Sequence, residues 1–289
     1  MSKHKIVNWL IFLLLSVIWG SSFILMKKSA EVLTGWQIGS VRIVSAGIVF
    51  LPLALVHIFK IPIKKIPVVL ASGVLGNLFP AFLFAIAIEK RIDSSLAGIL
   101  NSLTPLCVIV IGILFFKAKM HNRKIAGVLV GFIGLLILSL SKGSFGNDDI
   151  GFTMLILLAT IMYGFNVNIV SHYLKEVNPV HMATVSISFI AIPAAFVAWH
   201  HNVISIARYD ADATWPLIAS SLLGIVATAI ATALFYLLIR RAGGLFASLV
   251  TYAIPIISIF WGIWDHETIT IIQLSCLALI LCGVYLANK

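Results

Sequence analysis

Residues 94–116 read SSLAGILNSLTPLCVIVIGILFF, and residues 245–264 read LFASLVTYAIPIISIFWGIW; neither carries a charge. Each is about the 20 residues a helix needs to cross a hydrocarbon core of ~30 Å at 1.5 Å per residue. A bilayer offers the backbone no hydrogen bonds, so such runs must close their own as helices. The two segments also share a layout. A slide of 150 residues lays Ala97 on Ala247, Pro105 on Pro255 and Gly112 on Gly262.

The rest of the chain follows the same rule. Of its 289 residues 61% are hydrophobic and 10% are charged, whereas a soluble domain carries roughly 25% charged residues to cover its surface. The solvent of this chain must be lipid. Ten apolar runs stand out, at about 8–26, 36–57, 68–88, 94–116, 123–140, 151–172, 179–199, 215–239, 245–264 and 269–287. The predicted fold is an all-α integral membrane protein of ten transmembrane helices. Connections are short, hold nearly all the charge, and leave no room for a separate domain. The first run passes Trp19 and reaches Met26 without a small-residue cleavage site, so it reads as a retained span and not a signal peptide.

The formal charge of +10 is sorted between alternate loops and not gathered on one face, which argues against nucleic acid as a partner. With a cytoplasmic N-terminus, 13 basic residues lie inside, six lie outside, and Arg42 falls within a span. The excess of Lys and Arg inside predicts a multi-pass protein of a bacterial inner membrane, with both termini cytoplasmic and Asp210 and Asp212 outside.

The slide of 150 also lays Ala81 on Ala231 and Arg91 on Arg241, while Trp19-Gly20 matches Tyr163-Gly164 at an offset of 144. The matches keep their order: span 1 with 6, 3 with 8, 4 with 9. Five is odd, so two halves, 1–145 and 146–289, must cross the membrane in opposite senses as inverted repeats. Transporters use this architecture and place the substrate near the midplane where the halves meet.

Trp19-Gly20-Ser21-Ser22-Phe23, Arg42 and Pro105 resemble the EamA family of the drug/metabolite transporter superfamily. So does the ending Glu267-Thr268-Ile269-Thr270, followed by a last span that contains Gly283. The similarity covers nearly the whole chain as two tandem five-helix repeats. It implies a transporter of metabolites or amino acids, often an exporter, with a central cavity between the halves. One departure matters. The family's first repeat usually has a Glu just after its fourth span, where this chain has Lys117, Ala118 and Lys119; Glu267 fills the matching place in the second repeat.

Polar groups deep in a span are costly and therefore candidates for function. Asn77 is mid-span in the third run. Asn101 lies one turn after Ala97 and one turn before Pro105, and Thr251 occupies the corresponding place before Pro255. Both prolines are expected to break their helices, and Pro105 to free the carbonyl of Asn101. Trp19 and Phe23 share one face of span 1, as do Tyr163 and Asn166 in span 6. Thr228, Thr232 and Tyr236 make a polar stripe in span 8. All ten are expected to line a substrate cavity. The plainer alternatives are hydrogen bonding between helices and, for Trp19 and Tyr163, an aromatic belt at the interface. The belt is the better reading for Trp9, Trp199, Trp215 and Trp264.

Arg42 has two readings: snorkelling to the outer surface or bonding backbone carbonyls, and counter-charge for an anionic substrate group. Gly127-x-x-x-Gly131 permits close helix approach, within the monomer or in a homodimer. Cys107, Cys276 and Cys282 read as apolar packing residues. His200-His201 diverge on a helix end and do not suggest a metal site. No Gly-x-x-x-x-Gly-Lys-Ser/Thr, His-Glu-x-x-His or Gly-x-Ser-x-Gly sequence occurs. Every Asp and Glu sits at a span end or in a loop, Glu89 being the nearest to a proton carrier. The expectation is a transporter, not an enzyme, with no metal and no cofactor, its partners a small-molecule substrate and membrane lipid. The rivals are a membrane-embedded enzyme acting on lipids, which would want converging His, Asp or Glu, and a sensor or scaffold.

Overall fold

In the computed structural model the apolar runs form helices, and the turn chemistry between them sets their ends. The structure describes residues 3–90, 92–118, 126–127, 129–134, 137 and 147–288. Among the described residues eight helices are long and apolar enough to cross a membrane: Lys5–Ser29, Gly35–Lys60, Ile63–Glu89, Ser94–Phe116, Ile150–Tyr173, Pro179–His200, Thr214–Ala242 and Gly244–Trp264. A further helix, Ile271–Asn288, holds a shorter apolar stretch, Ile271–Gly283. No strand occurs among the described residues. The spans keep below their places among the ten expected; the fifth, 123–140, falls largely outside the described residues.

Two spans open with the same device. Thr34 Oγ1 accepts from Gln37 N (3.3 Å) while Gln37 Oε1 accepts from Thr34 N (2.8 Å). Thr270 and Gln273 repeat this pairing at 3.2 and 2.9 Å at the start of span 10. Such a box satisfies two of the amides left free by a helix start. Span 8 ends at Gly243, whose φ of 89° suits glycine.

Packing follows a two-fold exchange between the halves. Span 1 lies on span 9 as span 6 lies on span 4, span 3 on span 6 as span 8 on span 1, and span 2 lies on span 7. Glycines explain the closeness of the first two pairs. A Cβ on Gly20 would meet Ile257 Cβ at 2.5 Å, and one on Gly164 would meet Cys107 Cβ at 3.0 Å. Gly20 and Gly164 are the matched glycines of the repeat, and Ile257 is Cys107 plus 150. In span 10 a Cβ on Gly283 would lie 2.5 Å from both the Gly127 carbonyl and the Gly131 amide, so the small-residue motif of the fifth run packs within the chain.

Two spans carry a wider turn at matched places: Val74–Leu78 in span 3 and Leu223–Ile230 in span 8 are π-helical. A π-turn frees backbone groups and often marks a functional site. Span 4 is interrupted at Ser102–Leu103, directly before Pro105, and the carbonyl of Asn101 takes a bond from Thr104 Oγ1 at 2.8 Å. Span 9 behaves otherwise. Its interruption is at Leu249, and Pro255 sits inside the continuous helix Val250–Trp264. The expected break at Pro255 is therefore corrected: neighbouring turns bridge the one bond that proline removes, as membrane helices permit.

Candidate functional site

The π-turns, the interrupted span 4 and the aromatic ends of spans 1 and 6 converge on one cavity. Its wall contains Trp19, Ser22, Phe23, Met26, Arg42, Gly76, Asn77, Phe84, Asn101, Thr104, Tyr163, Asn166, Val167, Ala227, Thr232, Phe235, Tyr236 and Thr251. Both halves contribute. The space open to the centres of water-sized spheres is about 70 Å³, against roughly 10–15 Å³ for one water on that measure. That is room for a small cluster of waters or a small solute.

Of the ten cavity candidates, nine lie in this wall together with Arg42; Thr228 lies behind it. There Thr228 Oγ1 donates to the Leu223 carbonyl (3.2 Å) and accepts from Arg42 Nε (2.8 Å). Arg42 therefore neither snorkels outward nor bonds a backbone carbonyl. The π-turn of span 8 supplies an acceptor at its own depth, and the guanidinium turns inward. Its Nη1 lies 3.9 Å from Met26 Sδ, the Tyr163 side chain is near enough to interact with its charge, and among the described residues no carboxylate pairs with it. No Asp or Glu stands in the described wall.

The amides divide between held and free atoms. Asn77 Oδ1 accepts from Thr232 Oγ1 at 2.9 Å, while its Nδ2 is buried without a partner at hydrogen-bonding geometry. Asn166 Oδ1 and Tyr236 Oη likewise have no partner at full hydrogen-bonding geometry, although the Tyr236 hydroxyl lies close to Ser72, Asn77 and Asn166. Gly76 lets span 3 reach span 6, since a Cβ there would collide with the Asn166 amide. Asn101 Oδ1 accepts from Thr104 Oγ1 at 3.3 Å, and Thr251 Oγ1 donates to the Ser248 carbonyl at 2.8 Å. Trp19 Nε1 takes the Ala227 carbonyl of the π-turn at 2.9 Å, leaving the indole faces as wall. Phe235 meets Trp19 edge-on at 5.1 Å; Phe84 packs on Phe23 at 5.4 Å and on Tyr163 at 6.2 Å. Phe84 and Phe235 escaped the sequence reading because an aromatic ring in an apolar span carries no signal of its own.

A second polar cluster closes one face of the bundle, the face opposite the N-terminus. Glu267, its side chain 1% exposed, binds Lys27 Nζ at 2.9 Å, and Asp265 binds Lys27 at 2.6 Å and Lys28 at 2.7 Å. Glu267 also accepts from Ser94 N (3.0 Å), Ser94 Oγ (2.7 Å) and Ser95 N (3.0 Å). The ends of spans 1, 4 and 9 are thereby fastened together. Glu89, the expected nearest proton carrier, is occupied by capping: its Oε2 accepts from Gly35 N at 2.7 Å. Trp9, Trp199, Trp215 and Trp264 are exposed on the outside of the bundle.

The EamA-like transporter family matches residues 7–140 and 152–289, one match for each half. An uncharacterized transporter of Archaeoglobus fulgidus is 25% identical over 98% of this chain and 99% of its own length. The uncharacterized inner membrane transporter YedA of Escherichia coli K12 is 24% identical over 95% of this chain and 88% of its own. YoaV, an uncharacterized transporter of Bacillus subtilis, is 20% identical over 94% and 93%. A crystal structure superposes with a TM-score of 0.65 at 17% identity, covering 98% of this chain and 96% of that one; this similarity concerns the fold alone. The apolar helices and these matches define a multi-pass membrane transporter built of two repeats. The chain belongs to the EamA-like transporter family.

Proposed function

We propose that this transporter moves small metabolites, amino acids or related compounds by alternating access between halves 1–145 and 146–289, as a secondary transporter or facilitator and in the direction of export. In this reading the halves are inverted, the membrane is the bacterial inner membrane, both termini are cytoplasmic, and the ion-paired face is the outer one. The observation that carries the reading is the cavity itself: both repeats line it, and Asn77 Nδ2, Asn166 Oδ1 and Tyr236 Oη, on spans 3, 6 and 8, lie near one another there without a bond at full geometry. Buried polar atoms without partners cost free energy, and a passing solute relieves that cost. Two matched π-turns border the same space, where a small change in helix register re-aims Asn77 and Thr228.

Uptake and efflux of a mixed metabolite panel in proteoliposomes, with and without a pH gradient, tests the reading. Asn101→Leu should abolish flux of the carried compound while insertion and expression stay normal. A stable, fully active Leu variant would take Asn101 out of the path. Orientation has its own check: single cysteines at Lys64 and Asp210 should react with an impermeant thiol reagent from opposite sides. Labelling of both from one side would overturn the topology.

A further inference from the structure

We infer that, within the compounds proposed above, the cavity favours solutes bearing one carboxylate and no cationic group over zwitterionic amino acids, with Arg42 as the residue that sets this selectivity. The inference rests on the reading of the cavity as the substrate site. A guanidinium keeps its charge in a protein and offers five N–H donors in a planar fork. Arg42 spends one on Thr228 Oγ1, and a thioether sulfur at 3.9 Å is a weak acceptor for another. No carboxylate among the described residues pairs with it, so within them the positive charge in the wall has no carboxylate counter-charge. Thr228, itself anchored to the Leu223 carbonyl, fixes the plane of the fork. A carboxylate meets such a fork with two parallel bonds.

The rest of the wall decides between a simple acid and a zwitterion. The oxygens of Asn77 and Asn101 each already accept one bond, from Thr232 and Thr104. Every side-chain oxygen of the wall, those of Asn166, Tyr163 and Tyr236 included, belongs to a neutral group. An ammonium group entering the cavity meets no negative charge and faces Arg42 at short range in a medium of low dielectric. Aromatic faces attract cations, but Trp19, Phe23, Phe84 and Phe235 share their space with a fixed cation. They suit the apolar body of an acid. A single Arg also matches one carboxylate and leaves a phosphate dianion half neutralised.

Full-length purified protein in mild detergent, near neutral pH, provides the test through thermal unfolding with added probes. The probes are phenylacetate, hexanoate and indole-3-acetate, each with the amine and the alcohol of the same body, and phenylalanine. A solute that binds the folded state raises the unfolding temperature. The acids should bind roughly tenfold or more tightly than their alcohols and amines, with phenylacetate ahead of phenylalanine. Arg42→Gln should erase the difference between acid and alcohol, and Thr228→Val, which keeps the charge, should weaken the acids alone. Stabilisation by the amines, parity of phenylalanine with phenylacetate, or no acid effect in the wild type overturns the inference. Proteoliposome flux separates it from the reading beneath: acids that bind without being carried sink the transport reading, whereas carriage of amines sinks this one.

Discussion

Glu267→Ala should lower the unfolding temperature of the protein sharply and open the face that its carboxylate helps to close. The substitution leaves two backbone amides at the start of the Ser94–Asn101 helix and one serine hydroxyl without their acceptor, and leaves Lys27 with Asp265 alone. Breaking a buried ion pair costs ~3–5 kcal/mol, and the lower end applies because Lys27 is 30% exposed. Gly262 shows how closely the site is built: a Cβ there would meet Glu267 Oε2 at 2.7 Å. A Glu267→Ala protein that melts like the wild type would sink the assignment. The clasp is one-sided. The repeat position of Glu267 is Lys117, at the end of span 4, where the backbone is left-handed with φ 54°. A cysteine placed near the clasp should gain reactivity toward an impermeant reagent in the Ala variant, while one near Lys117 should not.

The same cluster makes stability depend on acid. Burial alone would raise the pKa of Glu267, but bonds from Ser95, Ser94 and Lys27 outweigh it and hold the carboxyl below its usual range. Asp265 is depressed in the same way, burial being outweighed by Lys27 and Lys28. Both folded values lie below the unfolded ones, so the stabilisation is present above the ordinary carboxylate pKa and is lost as pH falls through the folded values. Unfolding temperature should therefore drop in acid. In Asp265→Asn/Glu267→Gln the drop should flatten, and an unchanged pH profile would count against the clasp.

The spans were legible because water and lipid sort residues so strongly. Run 94–116 coincides with the observed span Ser94–Phe116, and 179–199 differs from Pro179–His200 by one residue. The cavity residues were legible for the same reason: an Asn or Thr at mid-span is an anomaly that lipid does not explain. What sequence did not carry is which anomalies face each other. Arg42 turns inward because a π-turn on span 8 puts Thr228 beside it, and no pattern in the sequence of span 8 announces that turn. The clasp was hidden because Lys27 and Glu267 are 240 residues apart and only the fold brings spans 1 and 9 together. Pro255 misled because a proline signals one lost bond, and a packed helix can carry on across it.

Gly224→Ala should impair transport as severely as loss of Arg42 itself, through backbone and not through chemistry. Gly224 lies in the π-turn of span 8, directly against span 2. A Cβ there would run into Ser45 Oγ and the Arg42 carbonyl, with Ala46 N at 3.1 Å. The first half has the matching contact, where a Cβ on Gly73 would meet Ser186 Cβ of span 7 at 2.9 Å. At both places a serine side chain is met first with backbone directly beside it, the Arg42 and Ser186 carbonyls, so turning the serine aside does not make room for a methyl group. Overpacking of this kind typically costs ~1–3 kcal/mol. The spans must separate, and the 2.8 Å bond from Arg42 Nε to Thr228 is the first thing such a movement stretches. The guanidinium then loses the acceptor that fixes its plane. Gly151→Ala is the matched control, because nothing lies within 4 Å of the added atom and a helix gains up to ~1 kcal/mol from Ala in place of Gly. Proteoliposome flux and thermal unfolding of the two variants decide the matter. Gly151→Ala should behave as wild type or better, and Gly224→Ala should lose both flux and stability. Equal flux in the two variants would mean that span 8 does not hold Arg42 in its working position.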